Sequence, residues 1–178
     1  ANLCDLHMAT GPKMFDGTCR LHKGDQEIHH MAKTACFAEY SVVPENGCVP
    51  LTTSIPMDIA AMIGCCVLTG VGAAIFSAKV EPGSTVAVVG CGGVGLAALQ
   101  GARIGGAGQI IAVDTHAWKF DLARKLGATD CVDATDGDPV AAVQELTGGG
   151  ADFVFECIGL VPTVQQSVAM TGRGGTTV

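Results

Sequence analysis

The sequence predicts an α/β fold, a doubly wound parallel sheet preceded by a β-rich segment, and three observations carry the prediction. Four short apolar runs, Thr85–Val89, Gln109–Val113, Asp130–Val132 and Asp152–Glu156, alternate with longer amphipathic stretches. Glycines gather at the junctions between those runs and leave their interiors almost clear. The texture changes near Ile55, before which turn residues such as Gly11-Pro12, Asp16-Gly17, Asn46-Gly47 and Pro50 break the chain into short pieces. Strand and helix alternating at this spacing build a parallel sheet with right-handed crossovers and helices on both faces.

The elements follow in order. Cys36–Val43 alternates apolar and polar residues, the pattern of a half-buried strand. Asp58–Ala78 reads as a helix bent around Gly70 and Gly72. Helices are expected over Gly93–Ile104, Ala117–Leu126 and Pro139–Leu146, another from Val161, and a strand beginning at Thr176. Thr85–Val89 is β-branched and apolar throughout, as a strand buried on both faces should be.

Composition narrows the function. The chain has 178 residues, enough for one domain or one and a half, with 48% hydrophobic and 15% charged residues. A net charge of -7 gives no electrostatic basis for nucleic acid or an anionic membrane as partner. Met57–Ser77 is the run nearest to a bilayer span, and Asp58 and several glycines are expected to interrupt it. The nine cysteines, Cys4, Cys19, Cys36, Cys48, Cys65, Cys66, Cys91, Cys131 and Cys157, are odd in number, and several sit in apolar runs. Both facts argue against a disulfide framework and for a reducing cytoplasm.

The first regular strand runs straight into Gly90-Cys91-Gly92-Gly93-Val94-Gly95 and then an Ala/Leu-rich helix. In a G-x-G-x-x-G reading, Gly90 makes the tight turn and Gly92 lets the backbone approach a pyrophosphate. Gly95 lets helix and strand pack closely, and the helix N-terminus offers N–H groups to the anion. The second strand ends on Asp114. A carboxylate there accepts ribose hydroxyls and repels a 2′-phosphate, which favours NAD over NADP. Lys119 reads by itself as a solvated lysine on a helix face, yet it could reach the same ribose or a phosphate. Ordinary polar and core roles are expected for His7, His22, His29, His30 and His116; adjacent histidines in a strand point to opposite faces, so His29-His30 makes a poor metal pair.

Taken in order, these segments resemble the zinc-dependent medium-chain alcohol dehydrogenases, in the branch of the classical enzymes and the thiol-dependent formaldehyde dehydrogenases. The resemblance covers nearly the whole chain. It rests on Asp16-Gly17-Thr18 with Arg20, Ile28-His29-His30, Phe37–Val43, Ile63–Gly70, the glycine turn and Phe155–Gly159. It implies that residues 1–66 are part of a GroES-like catalytic domain and 67–178 part of a Rossmann NAD-binding domain. It further implies that Cys65 is a thiolate ligand of a catalytic zinc, although a Cys in an apolar helix otherwise reads as packing. Thr69 and Val94 would pack on the nicotinamide, Ile158 would line the coenzyme site, and Cys4 would be the last of four structural-zinc cysteines. Cys66 keeps a packing role.

The function so implied is reversible hydride transfer between a small alcohol or aldehyde and NAD, by a homodimer or homotetramer. The remaining zinc ligands and the proton relay are expected outside this span, which would make the span an inactive internal piece. Three alternatives stand beside it: a formaldehyde dehydrogenase acting on a thiol adduct, a zinc-free quinone or enoyl reductase-like protein, and a dinucleotide-binding module without catalysis. The glutathione form of the first is weakened by Met8, which stands where glutathione-dependent members carry an arginine.

Overall fold

A computed structural model of the chain describes residues 5–178. The chain divides into two compact units between Ser54 and Ile55.

The first unit contains helix α1 (Asp5–Thr10) and a two-stranded antiparallel hairpin, β1 (Leu21–Lys23) and β2 (Gln26–Ile28). Lys33 is its buried anchor, donating from Nζ to the carbonyls of Gly11 (2.8 Å) and Lys13 (2.5 Å). His29 is exposed, while His30 is buried and accepts the Arg20 N–H on Nε2 at 2.9 Å, a core role. The strand expected over Cys36–Val43 does not form. Those residues are irregular, with Phe37 and Tyr40 fully exposed, and no strand among the described residues pairs with them. Alternation alone cannot make a strand where no neighbour takes its backbone hydrogen bonds.

The second unit opens with α2 (Met57–Ala78), one helix of 22 residues with a mean hydropathy of 2.3. By length and composition it is sufficient to cross a membrane, contrary to the expectation that Asp58 and the glycines interrupt it. Asp58 lies in the first turn, where a carboxylate suits the helix dipole. Leu68–Gly72 is regular α-helix, and the irregularity lies on either side of it, in π-helical stretches at Ile63–Val67 and Ala73–Ala78.

There follow β3 (Thr85–Val89), α3 (Gly93–Ile104), β4 (Gln109–Asp114), α4 (Phe120–Leu126) and β5 (Asp130–Asp133). Then come α5 (Pro139–Thr147), β6 (Ala151–Glu156), α6 (Val161–Met170) and β7 (Thr171–Thr177). The five strands from β3 onward form one sheet in the order β5-β4-β3-β6-β7, every neighbouring pair parallel. The chain therefore winds outward in both directions from β3, which leaves a crevice beyond the carboxyl ends of β3 and β6.

Burial explains why the strand sequences are so uniformly apolar. Val86, Val88, Ile110, Ala112 and Phe155 face a core shared with Leu99, Ala102 and Ala123. Ala87, Val89, Ile111, Val113 and Val154 face a second core with Val143 and Met170. Each buried valine or isoleucine contributes about 1.5–3 kcal/mol over leaving it in water. Local signals set the ends of the helices. Asp138 accepts the Val140 N–H at 2.9 Å, Pro139 occupies the first turn of α5, and Gly148 ends the helix in the left-handed region.

Candidate coenzyme site

Gly90 leaves β3 with φ +97, a conformation that glycine adopts without strain, and its N–H is held by the Val113 carbonyl at 2.8 Å. Two residues on, Gly92 starts α3 with no side chain capping the helix, so the first N–H groups of a 12-residue helix have no intrahelical acceptor. A Cβ on Gly92 would meet nothing within 4 Å, so the turn is open on its outer side. Gly95 is the opposite case: a Cβ there would stand 1.8 Å from the Gly90 carbonyl oxygen. The glycines thus do separate work, with Gly90 turning the chain, Gly92 leaving room and Gly95 letting α3 lie against the strand it follows.

Asp114 closes the site from the end of β4. Its carboxylate is 6% exposed and gathers five contacts. Oδ2 accepts from the Cys91 N–H (2.7 Å) and Lys119 Nζ (2.8 Å). Oδ1 faces the His116 N–H (3.0 Å), His116 Nδ1 (3.1 Å) and, again, Lys119 Nζ (3.1 Å). Burial by itself would raise this carboxyl; the Lys119 ammonium and the N–H groups of Cys91 and His116 outweigh it and hold the group below its ordinary range. Lys119 is accordingly an ion-paired lysine, 22% exposed. The Cys91 thiol is pushed up to about 12, chiefly by burial and then by the Asp114 charge, so it packs and does not react.

Ile158, just beyond β6, lies across Gly90: a Cβ on that glycine would come 2.5 Å from Ile158 Cγ1. Glu156 fixes the loop that carries it, accepting the N–H groups of Ile158 and Gly159 (3.1 Å each) and the Thr163 hydroxyl (2.7 Å). Gly90, Cys91, Gly92, Gly93, Val94, Gly95, Asp114, Lys119 and Ile158 therefore meet at one end of the sheet. Sequence reasoning had missed His116; the signal was an Asp followed two residues later by an N–H it can accept, a common turn geometry.

The helix α2 runs past the same turn. Gly70 admits α3 so closely that a Cβ would collide with the Val94 carbonyl and Ala97. Cys66 packs its sulfur towards Gly93. Cys65 is exposed one turn before Thr69, with Sγ 4.0 Å from the Thr69 hydroxyl. An exposed thiol of this kind suits zinc, but no group of three metal-ligating side chains occurs among the described residues, so Cys65 would be one donor of a set. Cys4 lies outside the described residues.

A glycine turn, an open helix N-terminus and an acid on the next parallel strand, all at the switch point of the sheet, are the features of a Rossmann-type dinucleotide-binding fold. Comparison with known proteins narrows the class. Residues 93–178 match the zinc-binding dehydrogenase family. The chain is 44% identical over 177 residues to an S-(hydroxymethyl)glutathione dehydrogenase of Synechocystis sp., covering 97% of this chain and 48% of that protein. It is 42% identical to the class-3 alcohol dehydrogenase of Myxine glutinosa, covering 97% and 47%. Among solved structures it resembles benzyl alcohol dehydrogenase from Acinetobacter calcoaceticus, with a TM-score of 0.77 and 39% identity over 81% of this chain and 40% of that one. An alcohol dehydrogenase zinc-binding domain protein from Burkholderia ambifaria gives 0.83 and 31% over 99% and 52%. Residues 93–178 are similar to the zinc-binding dehydrogenases, and the chain spans about half the length of the curated relatives it matches.

Proposed function

We propose that this chain supplies the coenzyme-binding part of a zinc-dependent oxidoreductase that moves hydride between a small alcohol or aldehyde and NAD. The observation that carries the reading is the turn Gly90–Gly95 with Asp114 at the end of the neighbouring strand. The uncapped start of α3 receives the pyrophosphate, with Gly92 leaving room for its approach. Asp114 meets the adenosine ribose and disfavours a 2′-phosphate, and Ile158 covers Gly90 at the other side of the turn. Thr69 and Val94 would present one face of the nicotinamide to the substrate carbon. In the overall reaction an alcohol gives up a hydride to NAD and a proton to solvent, leaving the carbonyl product.

Cys65 would contribute a thiolate to a catalytic zinc, and Cys4 to a structural one. When bound, the catalytic zinc supplies Lewis acidity at the substrate oxygen. The domain assignment that accompanies this reading is residues 1–66 as part of a GroES-like catalytic domain and 67–178 as part of a Rossmann domain. A reducing, cytoplasmic setting and a homo-oligomer of two or four chains complete it; the free thiols of all eight described cysteines support the first.

The thiol-adduct reading draws support from the similarity to the S-(hydroxymethyl)glutathione dehydrogenase of Synechocystis sp.. Against its glutathione form stands Met8, an uncharged and exposed side chain that cannot pair with a substrate carboxylate.

Titration of the chain with NADH, followed through the fluorescence of its single tryptophan, Trp118, tests the reading. Saturable binding at one site per chain, lost in Asp114→Ala, is the expected result; a folded chain that ignores NADH would overturn it.

A further inference from the structure

The loop 157–160 between β6 and α6 carries Ile158 over the glycine turn, and one side chain holds that loop. Glu156, the last residue of β6, is half-buried. Its Oε1 takes three donors, the N–H groups of Ile158 and Gly159 at 3.1 Å each and the Thr163 hydroxyl at 2.7 Å. Oε2 shares the Gly159 N–H at 3.0 Å. No other acceptor among the described residues takes the Ile158 or Gly159 N–H. The hydrogen bonds of the sheet stop just before them: the Glu156 N–H reaches the Val178 carbonyl and the Cys157 N–H the Val89 carbonyl, at 2.9 Å each. Beyond Cys157 the chain has left the sheet, and Gly159 turns it with φ +85. The Thr163 hydroxyl, in the first turn of α6, has a second acceptor in the Leu160 carbonyl at 2.9 Å, and the charged oxygen is the stronger of the two. A single oxygen thus ties the tip of the loop to the start of α6.

What this fixes is Ile158. The space a side chain on Gly90 would need is filled by it, since an added Cβ there would lie 2.5 Å from Ile158 Cγ1 and 3.2 Å from Cδ1. The remainder of the Ile158 side chain faces solvent beside the turn, 48% exposed. An untethered loop samples many backbone states and loses that freedom when a ligand packs on it. A loop already held loses less, and the difference appears as affinity.

We infer that Glu156 is a positioning residue of the coenzyme site, acting through Ile158 and without touching the dinucleotide itself. The inference rests on the coenzyme-site reading above and adds to it a residue outside the glycine turn and the Asp114 cluster. Because the three donors meet at Oε1, the amide oxygen of a glutamine can take the same place. The role therefore needs the acceptor and not the charge.

NADH titration of the chain and its variants, each kept well below its melting midpoint, tests the inference. Glu156→Ala should weaken binding about tenfold by freeing the loop. Glu156→Gln should stay within about threefold of the parent, losing only the Gly159 contact at Oε2. Ile158→Ala should weaken binding by itself. Adding Glu156→Ala to it should change the affinity by less than about twofold, because the side chain through which Glu156 acts is gone. A residue that merely stabilised the fold would show no such dependence on Ile158. Should Glu156→Ala fail to fold, Thr163→Val takes its place, with about threefold weaker binding that also disappears in the Ile158→Ala background. Parent-like affinity in Glu156→Ala or Ile158→Ala would overturn the role of Glu156 while NADH binding by the parent stands. So would a Glu156→Gln as weak as Glu156→Ala, or effects of Glu156→Ala and Ile158→Ala that multiply. A parent chain that does not bind NADH would overturn the coenzyme-site reading and this inference with it.

Discussion

Gly92 and Gly95 should fail in different ways when a methyl group is added, and Gly95→Ala is the sharper case. Its Cβ would stand 1.8 Å from the Gly90 carbonyl oxygen, 3.0 Å from the Gly90 carbonyl carbon and 3.3 Å from Val88 Cγ1. Ordinary contact begins at 3.4 Å, so the oxygen is 1.6 Å too close. Neither atom can rotate away: the oxygen belongs to the backbone leaving β3, and the methyl is fixed to the first turn of α3. The helix must lift from the sheet, and that opens the contacts of Leu99 and Ala102 with Val86 and Val88. Overpacking a close-packed core costs about 1–3 kcal/mol, and a backbone clash sits at the top of that range. A loss of about 3 kcal/mol lowers the melting midpoint by roughly 10 °C for a domain of this size.

Gly92→Ala is the control. Its φ of -85 suits alanine, and its Cβ meets no atom of the protein. Stability should stay within about 0.5 kcal/mol of the parent. The methyl does occupy the side from which a pyrophosphate approaches, so NADH affinity should fall at least about tenfold. Urea unfolding combined with NADH titration of both variants separates the two effects. An unperturbed melting curve for Gly95→Ala, or parent-like NADH binding by Gly92→Ala, would refute this division of roles.

Three further outcomes follow from the same geometry. Asp114→Asn leaves Lys119 without its ion-pair partner and should cost about 1–2 kcal/mol at pH 7 in urea unfolding, less than a fully buried pair because Lys119 is partly exposed. The Asp114 carboxyl is held below its ordinary value of 3.8 in the folded chain, so its contribution is present above that pH and lost as pH falls through the lower folded value. The difference between parent and variant should therefore shrink below about pH 4. In native protein at pH 8, alkylation read by mass spectrometry should reach the exposed Cys36, Cys48 and Cys65 first. Cys91 and Cys157, whose thiols burial pushes up to about 12 and about 11, should react only after unfolding. Gly70→Ala should part α2 from α3 at Val94 and weaken NADH binding together with stability, measured by titration and thermal melting.

The sheet was legible because its strands are buried on both faces, and only β-branched or small apolar residues satisfy that position. The glycine turn was legible for a related reason: Gly90 and Gly95 have no steric substitutes. What the sequence could not show was tertiary. Lys119 looked like a surface lysine because its partner lies five residues back on a different element. His116 was given an ordinary role, since nothing in its neighbours reveals that its ring turns towards Asp114. Cys36–Val43 has the pattern of a strand and lacks the partner, and Met57–Ala78 has breakers in its sequence that a helix with π-helical stretches absorbs. The alternation was a local signal, whereas each of these outcomes depends on how the folded backbone turns a side chain or on packing.

The central claim is that the turn after β3 is a coenzyme site. The most direct measurement is a crystal structure of the chain grown with NAD. The account predicts the pyrophosphate on the N–H groups at the start of α3 beside Gly92, and the adenosine ribose within hydrogen-bond reach of Asp114. Density for the dinucleotide elsewhere, or its absence at a saturating concentration with the turn open, would contradict it.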